Sequence, residues 1–224
     1  MIYGENSALE HIAYLDNSST TKPCEKAKEY INRALETVWG NPSSLHILGM
    51  EAETALDEAR KTVADSVSAR PDEIIFTGSG TEANNTALLS VLKAKKRGGR
   101  VITTAIEHPS VLETVKRLED EGFEVIRLKP DKNGTVPVSA LESALTDSTL
   151  LVSMMLVNNE TGALQPVKEA ARLVKKAVPR ALFHCDAVQG YGKTEINTGK
   201  LGIDLLTASA HKIHGPKGIG FLYC

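Results

Sequence analysis

Six short segments of the chain carry side chains that can do chemistry, and five of them stand where a strand pattern stops. Ser209-Ala210-His211-Lys212-Ile213-His214 sets a lysine between two histidines just after an apolar run, with Gly215, Gly218 and Gly220 following. A lysine at the edge of a packed sheet can give up its proton and condense with a carbonyl compound, although a basic surface turn would read the same way. Thr77-Gly78-Ser79-Gly80-Thr81-Glu82-Ala83 is a glycine-rich turn between a buried strand pattern and a helix pattern. Such a turn offers free backbone N–H groups and the positive end of a helix dipole to an anion, usually phosphate, and it also serves as a plain N-cap. His184-Cys185-Asp186 puts a carboxylate at a strand end, where it can face a cationic ring nitrogen or cap a helix. Glu107-His108-Pro109-Ser110 offers a ring that can stack on a flat molecule or move protons, or that is simply solvated. Asn158-Asn159-Glu160-Thr161-Gly162 offers amide donors, or turn asparagines. The sixth, Gly190-Tyr191-Gly192-Lys193-Thr194, imitates the end of a P-loop. Ala187 stands where its first glycine is needed and no helix pattern follows, so it is rejected.

The elements that would position these groups alternate. Strand patterns fall at Ala13–Leu15, Glu73–Thr77, Val101–Thr104, Glu124–Leu128, Thr149–Val157, Ala181–Cys185, Leu205–Ala208 and Ile219–Tyr223. Helix patterns fall at Glu25–Val38 (opened by Pro23), around Ala52–Val67, from Thr81 to about Arg97, and at Pro109–Glu121, Val138–Leu145 and Pro166–Val178. Strands separated by helices predict an α/β domain of three layers, α/β/α, around a mostly parallel sheet. In such a sheet the strand ends share one edge. A phosphate turn, a histidine, an asparagine, an aspartate and a lysine can therefore converge, which is the set of groups a pyridoxal 5'-phosphate site needs. The spacing Gly78-x-Gly80-x-x-Ala83 also fits a loosened dinucleotide fingerprint, but the next strand has no acidic residue at its end for a ribose, and that reading leaves Lys212, Asp186 and His108 without tasks.

Composition narrows the partners. The 224 residues are 42% hydrophobic and 24% charged, enough to fill a core. Lys+Arg number 26 and Asp+Glu 28, so no field of one sign draws nucleic acid or an anionic membrane. No apolar run approaches the ~20 residues of a membrane span, and the N-terminus lacks the basic-then-apolar pattern of a secretory signal. Cys24, Cys185 and Cys224 are far apart and fit neither a disulfide framework nor a zinc site. A cytoplasmic protein is the expectation.

Several segments together resemble the NifS/IscS-like cysteine desulfurases, class V of the fold-type I pyridoxal-phosphate enzymes. They are Tyr14–Thr21, Gly40–His46, Phe76–Glu82, Glu107–Pro109, Val157–Gly162, Asp186–Gln189 and Ser209–Gly220, in order over nearly the whole chain. The resemblance implies the large cofactor-binding domain of that fold. It implies that Lys212 forms the Schiff base and later moves the Cα proton, that His108 stacks on the ring and assists acid–base steps, and that Asp186 pairs with the ring nitrogen. Gln189 and Asn159 would contact the ring oxygen or the substrate, and Gly80, Thr81, Ser209 and His211 would hold the phosphate. It further implies conversion of L-cysteine to L-alanine with sulfur left as an enzyme persulfide, delivery to a sulfur-acceptor or scaffold protein for iron–sulfur cluster or thio-cofactor assembly, and a homodimer.

On that resemblance, residues 1–45 are expected to form an N-terminal arm and 46–224 the large domain, with a C-terminal small domain and its nucleophilic-cysteine loop absent. A truncated desulfurase that binds the cofactor without completing sulfur transfer is the expectation. Another class V lyase or aminotransferase, or an inactive cofactor-binding fragment, are the alternatives.

Overall fold

The structure, a computed structural model, describes residues 13–90 and 98–224. Its centre is one seven-stranded sheet of β1 (Ile74–Thr77), β2 (Arg100–Thr104), β3 (Glu124–Leu128), β4 (Thr149–Ser153), β5 (Leu182–Asp186), β6 (Leu205–Ser209) and β7 (Gly220–Tyr223), in the order β1-β7-β6-β5-β4-β2-β3. The pairs β2–β3, β2–β4, β4–β5 and β5–β6 are parallel, and β7 runs antiparallel to both neighbours. A parallel return needs a crossover. The link from β6 to β7, residues 210–219, holds only a short 3-10 turn, so the chain doubles back beside β6.

Each strand alternates its apolar residues between two helical layers, as a pleated sheet covered on both sides requires. Val101, Leu151, Leu205 and Leu222 pack with α3 (Gly80–Leu89) and α4 (Pro109–Asp120). Their neighbours Ile102, Val152, Leu206 and Phe221 pack with α2 (Ile47–Ser66), α5 (Val138–Ala144) and α6 (Val167–Ala177). α1 (Glu25–Thr37) buries none of its residues, and α7 (Thr198–Leu201) is a single turn that the sequence reading missed. Phe183, Leu151, Leu206 and Ile102 are fully buried, each contributing about 1.5–3 kcal/mol by leaving water.

Some expectations need correction. Ala13–Leu15 is not a strand, and all three residues are exposed. Pro23 does not open α1 from inside; it precedes the cap residue Cys24. β4 ends at Ser153 rather than Val157. The N–H groups of Met154 and Leu156 still bond to β5, but the N–H of Met155 goes to the Glu107 carboxylate instead of a strand carbonyl. α3 is helical through Leu89, and the part expected to reach Arg97 falls on residues 91–97, which, like 1–12, lie outside the described residues.

Candidate active site

The parallel strands all point their C-terminal ends at one edge, and a cavity of about 510 Å³ opens there. All nine residues singled out from the sequence line it: Gly80, Thr81, His108, Asn159, Asp186, Gln189, Ser209, His211 and Lys212. Asn84, Ser110, Met155, Ser18 and Ser19 line it as well and were missed. Asn84 had a readable signal, since it lies one helical turn after Gly80 and so shares its face.

One side of the cavity is the start of α3. The Ser79 hydroxyl accepts the N–H of Glu82, and the Glu82 carboxylate accepts the N–H of Gly78 at 2.6 Å. The N–H groups of Gly80 and Thr81 are left without intrahelical acceptors, as at any helix start. A Cβ added at Gly80 would stand 2.9 Å from Val188 and 3.4 Å from Ser209, so glycine lets the turn sit this close to Val188. Behind it, a Cβ at Gly220 of β7 would meet Ala208 O at 2.6 Å and the backbone of Ser79 at 2.9 Å. The reversed strand therefore braces the turn from the rear.

On the floor lies Asp186, at the end of β5 and 4% exposed. Its Oδ1 accepts the N–H of Val188 at 2.9 Å and its Oδ2 accepts Asn84 Nδ2 at 2.7 Å. Burial raises its pKa, while these two hydrogen bonds and the charge of Lys212 oppose the rise. Glu107 is buried nearby. Its Oε1 accepts from the Thr104 hydroxyl and the Met155 N–H, both at 2.8 Å, and its Oε2 has no partner. Burial first, then the charge of Asp186, pushes Glu107 up to about 8. The charge of Lys212 favours the ionised form of Asp186, and the charge of Asp186 in turn helps Glu107 keep its proton.

Lys212 ends the 3-10 turn after β6. Its amine donates to the carbonyls of Ser18 at 2.5 Å and Ser19 at 2.8 Å, and Gln189 Nε2 donates to the same Ser18 oxygen at 2.7 Å. Burial and then Lys193 lower the Lys212 pKa, with Asp16 and Asp186 opposing. The N-terminal stretch that supplies these carbonyls is laced to the lysine turn. Thr21 donates its N–H and its hydroxyl to His211 O, the N–H of His214 reaches the Thr21 hydroxyl, and the N–H of Cys24 reaches His214 O. Those contacts hold His214 at φ 62°, a left-handed conformation rare for a side chain of its size. His211 faces the Thr20 hydroxyl at 3.1 Å, and burial lowers its pKa.

The model of the Aminotransferase class-V family matches residues 13–224. The chain belongs to that family. The relatives it matches are NifS/IscS-like cysteine desulfurases: it is 46% identical over 214 residues to the NifS/IcsS protein homolog of Lactobacillus delbrueckii subsp. bulgaricus, covering 94% of this chain and 55% of that one. It is 43% identical to the cysteine desulfurase IscS of Dictyoglomus turgidum, covering 96% and 54%. Among solved structures, a NifS-like protein superposes with a TM-score of 0.91 at 42% identity, over 94% of this chain and 58% of that one. SspA in complex with cysteine superposes with a TM-score of 0.91 at 35% identity, over 95% and 61%. The chain thus spans about half the length of the curated relatives it matches. Its α/β sheet is that of the fold-type I pyridoxal-phosphate enzymes.

Proposed function

We propose that this chain binds pyridoxal 5'-phosphate in the cavity at the sheet edge and supplies the cofactor-binding half of a cysteine desulfurase, acting on L-cysteine to give L-alanine. The observation that carries the reading is the meeting, in one cavity, of a lysine amine with a lowered pKa, a buried carboxylate and an open helix start. These groups fit the cofactor: the unpaired N–H groups at the start of α3, beside Ser209 and His211 in the cavity lining, suit a phosphate, and the buried Asp186 presents an anion for a ring nitrogen.

In this reading the N–H groups of Gly80 and Thr81, with Ser209 and His211, hold the phosphate. Asp186 would pair with the ring nitrogen and keep it protonated. His108 would stack against the ring, and Asn159 and Gln189 would bond its oxygen or the substrate. Bound pyridoxal phosphate supplies an aldehyde for an amine to attack and a cationic ring that accepts electrons from Cα. Lys212 must leave the Ser18 and Ser19 carbonyls to reach that aldehyde, and its lowered pKa favours the neutral amine that can attack. With the cofactor bound, the Lys212 amine would also be the base placed to take the substrate's Cα proton.

Sulfur then needs a thiol to receive it. Among the described residues no cysteine lines the cavity. Cys185 is buried, and burial with the charges of Asp186 and Glu107 pushes its thiol well above the usual range, so it is inert. We therefore assign the receiving thiol to none of Cys24, Cys185 and Cys224. Delivery to a sulfur-acceptor or scaffold protein, a cytoplasmic location and a division into a 1–45 arm and a 46–224 domain belong to the same proposal. Among the described residues no helix is long and apolar enough to cross a membrane. A homodimer is also part of it, supported by Tyr30, Leu35, Trp39, Ile47 and Met50, exposed along α1, its following loop and the start of α2.

The test is absorbance. Adding pyridoxal 5'-phosphate should produce a visible band that L-cysteine alters at lower concentration than L-serine or L-aspartate. A band equally indifferent to all three would remove cysteine as the substrate.

A further inference from the structure

Asn84 is 1% exposed and its Oδ1 has no hydrogen-bond partner. A buried amide with an idle oxygen is costly, so its nitrogen should have a task. That nitrogen has two hydrogens, and both are spent: one on Asp186 Oδ2 at 2.7 Å, the other on Ser110 Oγ at 2.9 Å. Ser110 Oγ therefore accepts from Asn84, and its own hydrogen is free to point at His108 Nδ1, 2.8 Å away. The backbone N–H of Ser110 reaches the same ring nitrogen at 3.1 Å. A nitrogen that accepts from a backbone N–H carries a lone pair and no proton. The ring hydrogen of His108 then sits on Nε2.

We propose that Asn84 and Ser110 are positioning residues that tie the His108 ring to the Asp186 carboxylate and lock His108 with its proton on Nε2. The inference rests on the reading of this cavity as a pyridoxal-phosphate site, because it gives His108 a defined role there. Its Nε2 is a hydrogen-bond donor toward whatever binds, and its other nitrogen is occupied. His108 can thus donate a hydrogen bond from Nε2 but cannot take a proton there, which leaves Lys212 as the base. The relay also spans two helices and one strand, Asn84 in α3, Ser110 in α4 and Asp186 in β5, so it fixes the distance between the Asp186 carboxylate and the His108 ring.

Nitrogen NMR of the cofactor-free 224-residue chain, labelled at histidine, reads the lock directly, with the His108 signals assigned by their loss in His108→Asn. The parent should show Nδ1 as the unprotonated and Nε2 as the protonated nitrogen. Ser110→Ala should raise the Nδ1–H form several-fold, and Ser110→Thr, which keeps the hydroxyl, should restore the parent pattern. Asn84→Leu, which fills the space without the donor, should weaken pyridoxal 5'-phosphate binding about tenfold or more, the loss of one hydrogen bond to a charged group. A parent spectrum with the proton on Nδ1, or identical tautomers in parent and Ser110→Ala, would overturn the proposal. A locked ring in a chain that binds no pyridoxal phosphate would support the lock and overturn the cofactor reading instead.

Discussion

Replacing Glu107 by glutamine should make the protein more stable in alkali, although it removes a buried charged residue. The folded state holds this carboxyl at about 8 and the unfolded chain at 4.5. Between those values the folded state binds one more proton than the unfolded state, so stability falls as pH rises and is lowest above pH 8. From pH 6.5 to 9 the loss covers roughly 1.5 pH units at 1.36 kcal/mol each, on the order of 2 kcal/mol. Over the whole window the ceiling is on the order of 5 kcal/mol. Glutamine imitates the protonated acid, since its oxygen can still accept from the Thr104 hydroxyl and the Met155 N–H, and it takes away the like charge facing Asp186. Urea unfolding at pH 5, 6.5 and 9 is the assay. Glu107→Gln should match the parent within about 1 kcal/mol at pH 5 and exceed it by a few kcal/mol at pH 9. Parallel curves for the two proteins across this range, or a variant weaker at pH 9, would show that Glu107 is ionised in the folded state and that its burial has been misjudged.

The acid side is set by His184, which is buried between the Ser153 and Thr207 hydroxyls and held by burial at about 3. It stays neutral when folded and is protonated when unfolded below 6.5, so its contribution is complete above pH 6.5 and lost on acidification, about 2 kcal/mol by pH 5. Glu107 contributes the opposite slope over pH 6.5 to 5, so His184→Gln should gain on the parent by about 2 kcal/mol on acidification from pH 6.5 to 5, and an unchanged difference between the two proteins would count against a neutral buried ring. Gly80→Val should weaken pyridoxal 5'-phosphate binding at least tenfold while changing pyridoxal binding, measured by the same absorbance titration, much less; equal losses would argue against a phosphate at the start of α3. Purified chain loaded with the cofactor should form alanine from L-cysteine far more slowly than a full-length desulfurase relative, since no cavity-lining thiol is present among the described residues, and a rate equal to the relative's would contradict that assignment.

The sheet and the site were legible because buried strands announce themselves. Val101–Thr104, Ala181–Cys185 and Leu205–Ala208 are short, mostly apolar runs, and the chemistry follows closely where each packed run gives way to polar residues. Fixing those ends fixed His108, Asp186 and Lys212 at one edge. What stayed hidden depended on contacts across the fold. The place of Asn84 on the face of Gly80 was readable, but its partnership with Ser110 exists only where α3 crosses beside α4. Ser18 and Ser19 act through backbone carbonyls, which any residue type could provide. Thr149–Val157 read as one strand because Met154, Met155 and Leu156 are buried, and burial alone does not reveal that a glutamate takes the next N–H. Ala13–Leu15 misled for the opposite reason, since its apolar side chains lie exposed.

The amine of Lys212 is the group that must meet an aldehyde in this cavity. Borohydride reduction of the chain in pyridoxal 5'-phosphate, followed by proteolysis and mass spectrometry, should find one phosphopyridoxyl group on Lys212, with the visible band lost in Lys212→Ala. A label spread over surface lysines such as Lys193 and Lys217, with Lys212 unmodified, would contradict it.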